Sequence, residues 1–164
     1  SNTVLTDTSG NPYPYPLTDT LDKTDWNLFG GESNLSSVVI GNSVTSIGNS
    51  AFEDCGNLKT VTFESNNNFT SIGNQAFQGC TSLTSITLPT NDHFTSIGDQ
   101  AFYGCSELTS ITIPDSVTSI GNSAFYNIKS DATITIVHSE GSIPDLSSGQ
   151  NGNSRWTNVS LTGT

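Results

Sequence analysis

The chain has 164 residues, and its 25 Ser, 23 Thr and 17 Asn give it a surface of small neutral polar groups, while 15 acidic against 4 basic residues leave a net charge of −11. Four cations (Lys23, Lys59, Lys129 and Arg155) cannot make the basic patch that phosphate binding needs, which excludes nucleic acid as a partner. A hydrophobic share of 32%, with no apolar run near the roughly 20 residues of a membrane span, excludes membrane insertion in this segment; it would also suggest disorder unless the apolar residues recur at a fixed period.

Residues 1–20 show no period and read as an N-terminal cap. The chain opens at Ser1 without a Met, so it reads as a processed or excised piece from which any secretory signal is already gone. A register starts at Leu21. Counting back 23 from Val44, Phe52, Leu58, Val61 and Phe63 lands on Leu21, Phe29, Leu35, Val38 and Ile40, all apolar. The clear copies follow. Val44-Thr-Ser-Ile-Gly-Asn-Ser-Ala-Phe52 returns from Phe69, from Phe94 and from Val117, at spacings of 25, 25 and 23. This predicts five rungs, at 21–43, 44–68, 69–93, 94–116 and 117–137. Residues 138–164 then form a C-terminal cap. Counting forward 25 from Ile134 and Ile136 reaches Val159 and Leu161, which places a final strand near 158–162. Trp26 and Trp156 are expected to cover the ends of the core, since a solenoid must close its terminal apolar faces and strand edges.

Within one repeat the apolar positions are Phe69, Ile72, Ala76, Phe77, Cys80, Leu83, Ile86 and Leu88, the amount a chain wound around a one-sided core requires. Leu83-x-x-Ile86-x-Leu88 alternates as a strand does, with Ile86 and Leu88 inward and Ser85, Thr87 and Pro89 outward. Ala76, Phe77 and Cys80, at i, i+1 and i+4, predict one face of a short helical turn. Gly48, Gly73, Gly98 and Gly121 precede it at a point expected to need φ > 0 or close approach. Asn49, Asn74, Asp99 and Asn122 then read as N-caps, and Asp54, Gly79, Gly104 and Asn127 as left-handed ends. One repeat cannot bury its own apolar face, so the array is expected to melt as a coupled unit.

The run Phe94-Thr-Ser-Ile-Gly-Asp-Gln-Ala-Phe-Tyr-Gly-Cys-Ser-Glu-Leu-Thr-Ser-Ile-Thr-Ile-Pro114, present three to four times between residues 21 and 137, resembles the BspA-like (Treponema-type) leucine-rich repeat family. The resemblance implies an α/β solenoid: a right-handed leucine-rich-repeat coil with a parallel sheet on one face and short helical turns on the other. It also implies a surface or secreted protein used in adhesion. The family has no shared catalytic residues to transfer, so it implies no sites and no cofactor. The last repeat departs from the pattern, with Ile128 in place of the Cys and Asp131 where Leu108 calls for an apolar residue.

Three sets of residues remain as partner-binding candidates. The outward strand positions form a hydroxyl ladder of Thr60 and Thr62, Ser85 and Thr87, Ser110 and Thr112, and Thr133 and Thr135, continued by Ser37 and Val39. Two adjacent repeats carry loops two residues longer than their counterparts, Glu64–Asn68 and Pro89–His93, which offer Asn67, Asp92 and His93 side by side. Tyr103 and Tyr126 hold the same position in successive repeats and are expected to pair on the turn face. Cys55, Cys80 and Cys105 share one inward position and read as small buried hydrophobes with inert thiols; a disulfide between adjacent rungs would leave one over. His93 and His138 read as loop histidines, since no metal spacing and no strained Gly-x-Ser-x-Gly elbow accompanies them. The carboxylates are scattered singly. Asn34, Asn68 and Asn158 open Asn-x-Ser/Thr sequons, which this composition produces by chance.

The expected function is a non-catalytic recognition or adhesion module, extracellular or on the cell surface, whose partner is a protein or glycan on a host or neighbouring cell. The alternative is a structural spacer within a larger surface protein. An enzyme is not expected, because no cluster of titratable groups exists to be tuned.

Overall fold

The computed structural model describes residues 4–7, 9, 11, 20–21, 33–138 and 159–163. The chain winds as a parallel β-solenoid whose repeats each contribute to two sheets. The strands in chain order are β1 (Val4–Asp7), β2 (Thr20–Leu21), β3 (Leu35–Ile40), β4 (Ser46–Ile47), β5 (Thr60–Phe63) and β6 (Ser71–Ile72), then β7 (Ser85–Ile86), β8 (Ser96–Ile97), β9 (Ser110–Ile113), β10 (Ser119–Ile120), β11 (Thr133–His138) and β12 (Val159–Gly163). The long sheet runs β1-β3-β5-β7-β9-β11-β12 and the short sheet β10-β8-β6-β4-β2. Each of the repeats 44–68, 69–93, 94–116 and 117–137 makes one turn, about four in all. The fifth expected rung, 21–43, includes residues 22–32, which lie outside the described residues, as do Phe29, Trp26, Trp156 and Asn158.

Register follows the repeat. Val38 faces Val61 and Ile40 faces Phe63, the 23-residue offset; Ser85 faces both Thr60 and Ser110, the 25-residue offset. β12 lies parallel to β11, with Ile134 opposite Val159 and Ile136 opposite Leu161. At the other end Leu21 sits opposite Ile47 and not Val44, so the shift from the clear copies into the first rung differs from the counted one. β1 was not foreseen at all. It pairs antiparallel with β3, Val4 opposite Val39, and covers that edge of the long sheet.

The α/β expectation requires correction: among the described residues there is no helix, and the stretch read as a helical turn is a wall of non-helical turns. Its backbone N–H groups alternate between two uses. Ala51, Glu53 and Cys55 donate within the rung to the carbonyls of Gly48, Ser50 and Phe52. Ser50, Phe52 and Asp54 donate instead to Asn74, Ala76 and Gln78 of the next rung. The same holds one rung on, where Gln75, Phe77 and Gly79 donate to Asp99, Ala101 and Tyr103. A helix would close those bonds on itself; the alternation is made by left-handed residues at Ser50, Gln75, Gln100 and Ser123 (φ 55 to 58), which break helical winding just after it would begin. The expected left-handed ends are found, with Asp54, Gly79, Gly104 and Asn127 at φ 59, 71, 73 and 59.

The glycine before this wall serves close approach and not positive φ. A Cβ on Gly73 would lie 2.7 Å from the backbone nitrogen of Asn49, and one on Gly98 2.6 Å from that of Asn74. The neighbouring Asn/Asp column does not cap its own turn. Asn49 Oδ1 accepts from the N–H of Asn74 at 2.8 Å, Asn74 Oδ1 from Asp99 at 2.9 Å, and Asp99 Oδ1 from Asn122 at 2.7 Å. It is a ladder between rungs.

The interior is one continuous apolar column of the inward positions, with Phe63 and Ile120 partly buried against it, while Asp131, at the position of Leu108, is exposed. Phe52, Phe77, Phe102 and Phe125 stack face to face, centroids 5.3 Å apart and planes within 10°. Phe63, Phe69 and Phe94 form a second, edge-to-face series. Such contacts add about 0.5–1.5 kcal/mol per pair beyond burial, which couples each rung to the next. Pro89, read as outward, is buried.

Candidate functional site

The outer face of the long sheet carries the hydroxyl ladder. Thr60, Thr62, Ser85, Thr87, Ser110, Thr112 and Thr133 are exposed and Thr135 is half-buried. The face is not uniform. β3 and β5 pair over four positions, as do β9 and β11, but β7 pairs with each of its neighbours over only two, ending at Ile86. Proline explains the shortening. Glu64 N–H donates to Ile40 O at 2.9 Å and ties the end of β5 to β3. Pro89 and Pro114 hold the equivalent positions and have no N–H to give, so the ties from β7 to β5 and from β9 to β7 cannot form.

Where the ladder stops, the surface is hollow. A depression of about 420 Å³ lies between β7 and β9, open to solvent, with Leu88, Pro114 and Val137 as its apolar part and Thr87, Thr112 and Asp115 among its polar lining. A second, of about 300 Å³, lies between the outgoing ends of β5 and β7 and is lined by the amides of Asn66, Asn67 and Asn91 together with Phe63 and Glu64. Thr87, Leu88 and Thr90 line both, so the two depressions adjoin at the outgoing end of β7 and together make the trough of this face.

The two longer loops do lie side by side, and they are built structures. Asn91 Nδ2 donates to Asn66 O at 2.9 Å, and Asn66 Nδ2 to Val44 O at 2.6 Å. Each side-chain oxygen closes its own loop, Asn66 Oδ1 accepting from Asn68 N–H and Asn91 Oδ1 from His93 N–H at 2.8 Å. Asn66 is only 5% exposed. Of the loop candidates, Asn67 lines the trough, while Asp92 and His93 are exposed outside it. Sequence reasoning missed Asn66, Asn91, Leu88, Pro114, Asp115 and Val137. Paired Asn and Pro at a 25-residue spacing were the available sign.

Tyr103 and Tyr126 stack at 5.3 Å on the turn wall, with Tyr126 40% exposed, away from the residues that line the trough. The three cysteines are buried and free. Cys80 Sγ donates to Phe52 O at 3.1 Å and Cys105 Sγ to Phe77 O at 3.2 Å. Burial, reinforced by the neighbouring cysteines, raises the Cys80 thiol well above its ordinary value, and burial pushes Cys105 up to about 12, so both stay protonated. Among the described residues no group of three His, Cys, Asp or Glu could hold a metal ion, and no helix is long and apolar enough to cross a membrane. Asn34 and Asn68, the sequon residues described, are exposed.

Parallel rungs of about 25 residues, an apolar column of stacked rings and an exposed strand face define a repeat protein of the leucine-rich type. A family model of the BspA type leucine rich repeat region matches residues 17–149 in six copies, and the chain belongs to that family. It is similar in fold to a leucine-rich repeat protein of T. pallidum, at 27% identity and a TM-score of 0.60, over 76% of this chain and 53% of that one. It is also similar to a leucine-rich repeat protein from Bacteroides ovatus, at 30% identity and a TM-score of 0.61, over 86% and 32%. The chain thus spans about half the length of the first and a third of the second. No curated protein matches it. Membership of this family marks the chain as a protein-interaction or structural module.

Proposed function

We propose that the chain is a non-catalytic recognition module of a secreted or cell-surface protein, wound right-handed as parallel crossovers are, and that it adheres to a protein or glycan on a host or neighbouring cell. The observation that carries this reading is the outer face of the long sheet, an exposed ladder of hydroxyls interrupted by a trough at β7. In repeat proteins the surface that stacking leaves open is the one available to partners. The candidates Thr60, Thr62, Ser85, Thr87, Ser110, Thr112, Thr133 and Thr135 lie on this face, with Asn67 at its loop edge.

The test is binding of the labelled chain to host and bacterial cells. Saturable binding that falls at least tenfold when Thr62, Thr87 and Thr112 all become Lys, with melting unchanged, supports the reading. A second reading, a spacer that holds other domains away from the surface, is favoured by the partial coverage of the two longer relatives. It predicts no saturable binding by this segment and unaltered behaviour of the Lys variant.

A further inference from the structure

We propose that the trough beside β7 is a peptide-binding site, which takes an extended segment of a partner protein with an apolar side chain in the β7–β9 depression and a basic side chain two residues along in the β5–β7 depression. The proposal rests on the recognition reading above and names the partner chemistry for that face.

Three observations carry it. The larger depression, about 420 Å³, falls within the range of about 300–1,000 Å³ typical of ligand pockets, and Leu88, Pro114 and Val137 give it an apolar lining that a hydrophobic side chain would fill. The smaller one presents Asn67 and the hydroxyl residues Ser65, Thr87 and Thr90, which can hydrogen-bond a peptide main chain, while the amides of Asn66 and Asn91 are engaged in holding the loops; it adjoins the first across Thr87, Leu88 and Thr90. In an extended chain, residues i and i+2 point the same way about 7 Å apart, a spacing suited to two adjoining depressions on one face. Charge then selects the second residue. Glu64 and Asp115 line the two depressions, no Lys or Arg lines either, and the whole chain carries −11. Lys or Arg is attracted there and an acidic residue repelled. A neutral glycan could donate hydroxyl hydrogen bonds to either carboxylate but would gain no charge attraction, so a preference for Lys or Arg separates the two partners.

The experiment screens the full chain against an array of capped heptapeptides varied at positions 3 and 5, beside an array of neutral glycans. The expected result is retention of peptides with Leu, Ile or Phe at position 3 and Lys or Arg at position 5, and at least a tenfold loss when position 5 is Glu. Thr112→Trp, which fills the larger depression, should abolish retention. Thr133→Trp, on the same face but outside the trough, should change it less than twofold. Glu64→Gln combined with Asp115→Asn should keep the apolar preference while removing the preference for Lys over Glu. Random retention, equal loss in both Trp variants, or glycan binding that Thr112→Trp removes would each overturn the proposal. If no peptide is retained yet cell binding persists and the triple Lys variant abolishes it, the recognition reading stands and the peptide site does not.

Discussion

The turn wall and the long sheet are made by the same repeats but hold them together differently. On the turn wall each rung gives three backbone N–H groups to the next, always from the same positions, and a side-chain ladder from Asn49 to Asn122 runs beside them. On the long sheet the pairing varies from four positions at β3–β5 to two on either side of β7 and four again at β9–β11. The wall sets rung spacing and tolerates no side chain at Gly73, Gly98 or Gly121. The sheet face can lose pairs, accept prolines and open a hollow, because the wall and the core already hold the coil in register.

Substitutions on the wall side should therefore cost far more than changes on the outer sheet face. Phe77→Ala, which removes a fully buried ring from the middle of the stack, should destabilise by about 3–5 kcal/mol in urea unfolding. A loss under about 1 kcal/mol would place that ring outside the coupling between rungs. Gly98→Ala should cost about 1–3 kcal/mol through overpacking against Asn74. Gly104→Ala, where φ is +73° but the nearest atom to a Cβ is 3.8 Å away, should cost only about 1 kcal/mol of backbone strain. The reverse order would mean that conformation, and not space, limits the wall. Asn74→Ala should lose about 1 kcal/mol with the acceptor for Asp99 N–H, while Asn74→Asp, the residue already used at Asp99, should restore most of it. The last effect concerns pH and appears only in alkali. Cys105 ionises near 12 when folded against an ordinary value of 9.0, so the unfolded chain sheds its proton first and stability is full below pH 9 and falls between pH 9 and about 12. Melting curves over that window should slope downward, and less steeply in Cys105→Ala.

The strand half of each repeat was legible because alternation of apolar and hydroxyl residues has only one structural meaning at that spacing: Val61, Ile86 and Ile111 face inward, and Thr62, Thr87 and Thr112 outward, as read. The wall was not, since Ala-Phe-x-x-Cys suits a helical turn as well as a rung. What decides between them is positive φ at Ser50, Gln75, Gln100 and Ser123, which residues with side chains do not announce. β1 lay beyond reach because Val4–Asp7 stands outside the repeat and pairs antiparallel. The hydroxyl face was located from spacing alone, but its hollow depends on a missing N–H at Pro89 and Pro114, and a reading centred on side chains passed over the donors that proline lacks.

The direction of the rung-to-rung bonds has an electrostatic consequence. In the wall three columns of peptide groups point forward along the axis, from Ser50, Phe52 and Asp54 onward. Three columns elsewhere point back, through Thr70 to Thr45, Gly73 to Ile47 and Thr84 to Lys59. Their dipoles oppose one another around the circumference, unlike the aligned peptides of a helix, whose ends carry partial charges. Appending further coils therefore lengthens these columns in opposed sets, so together they build up no polarity from end to end as a helix of equal length would.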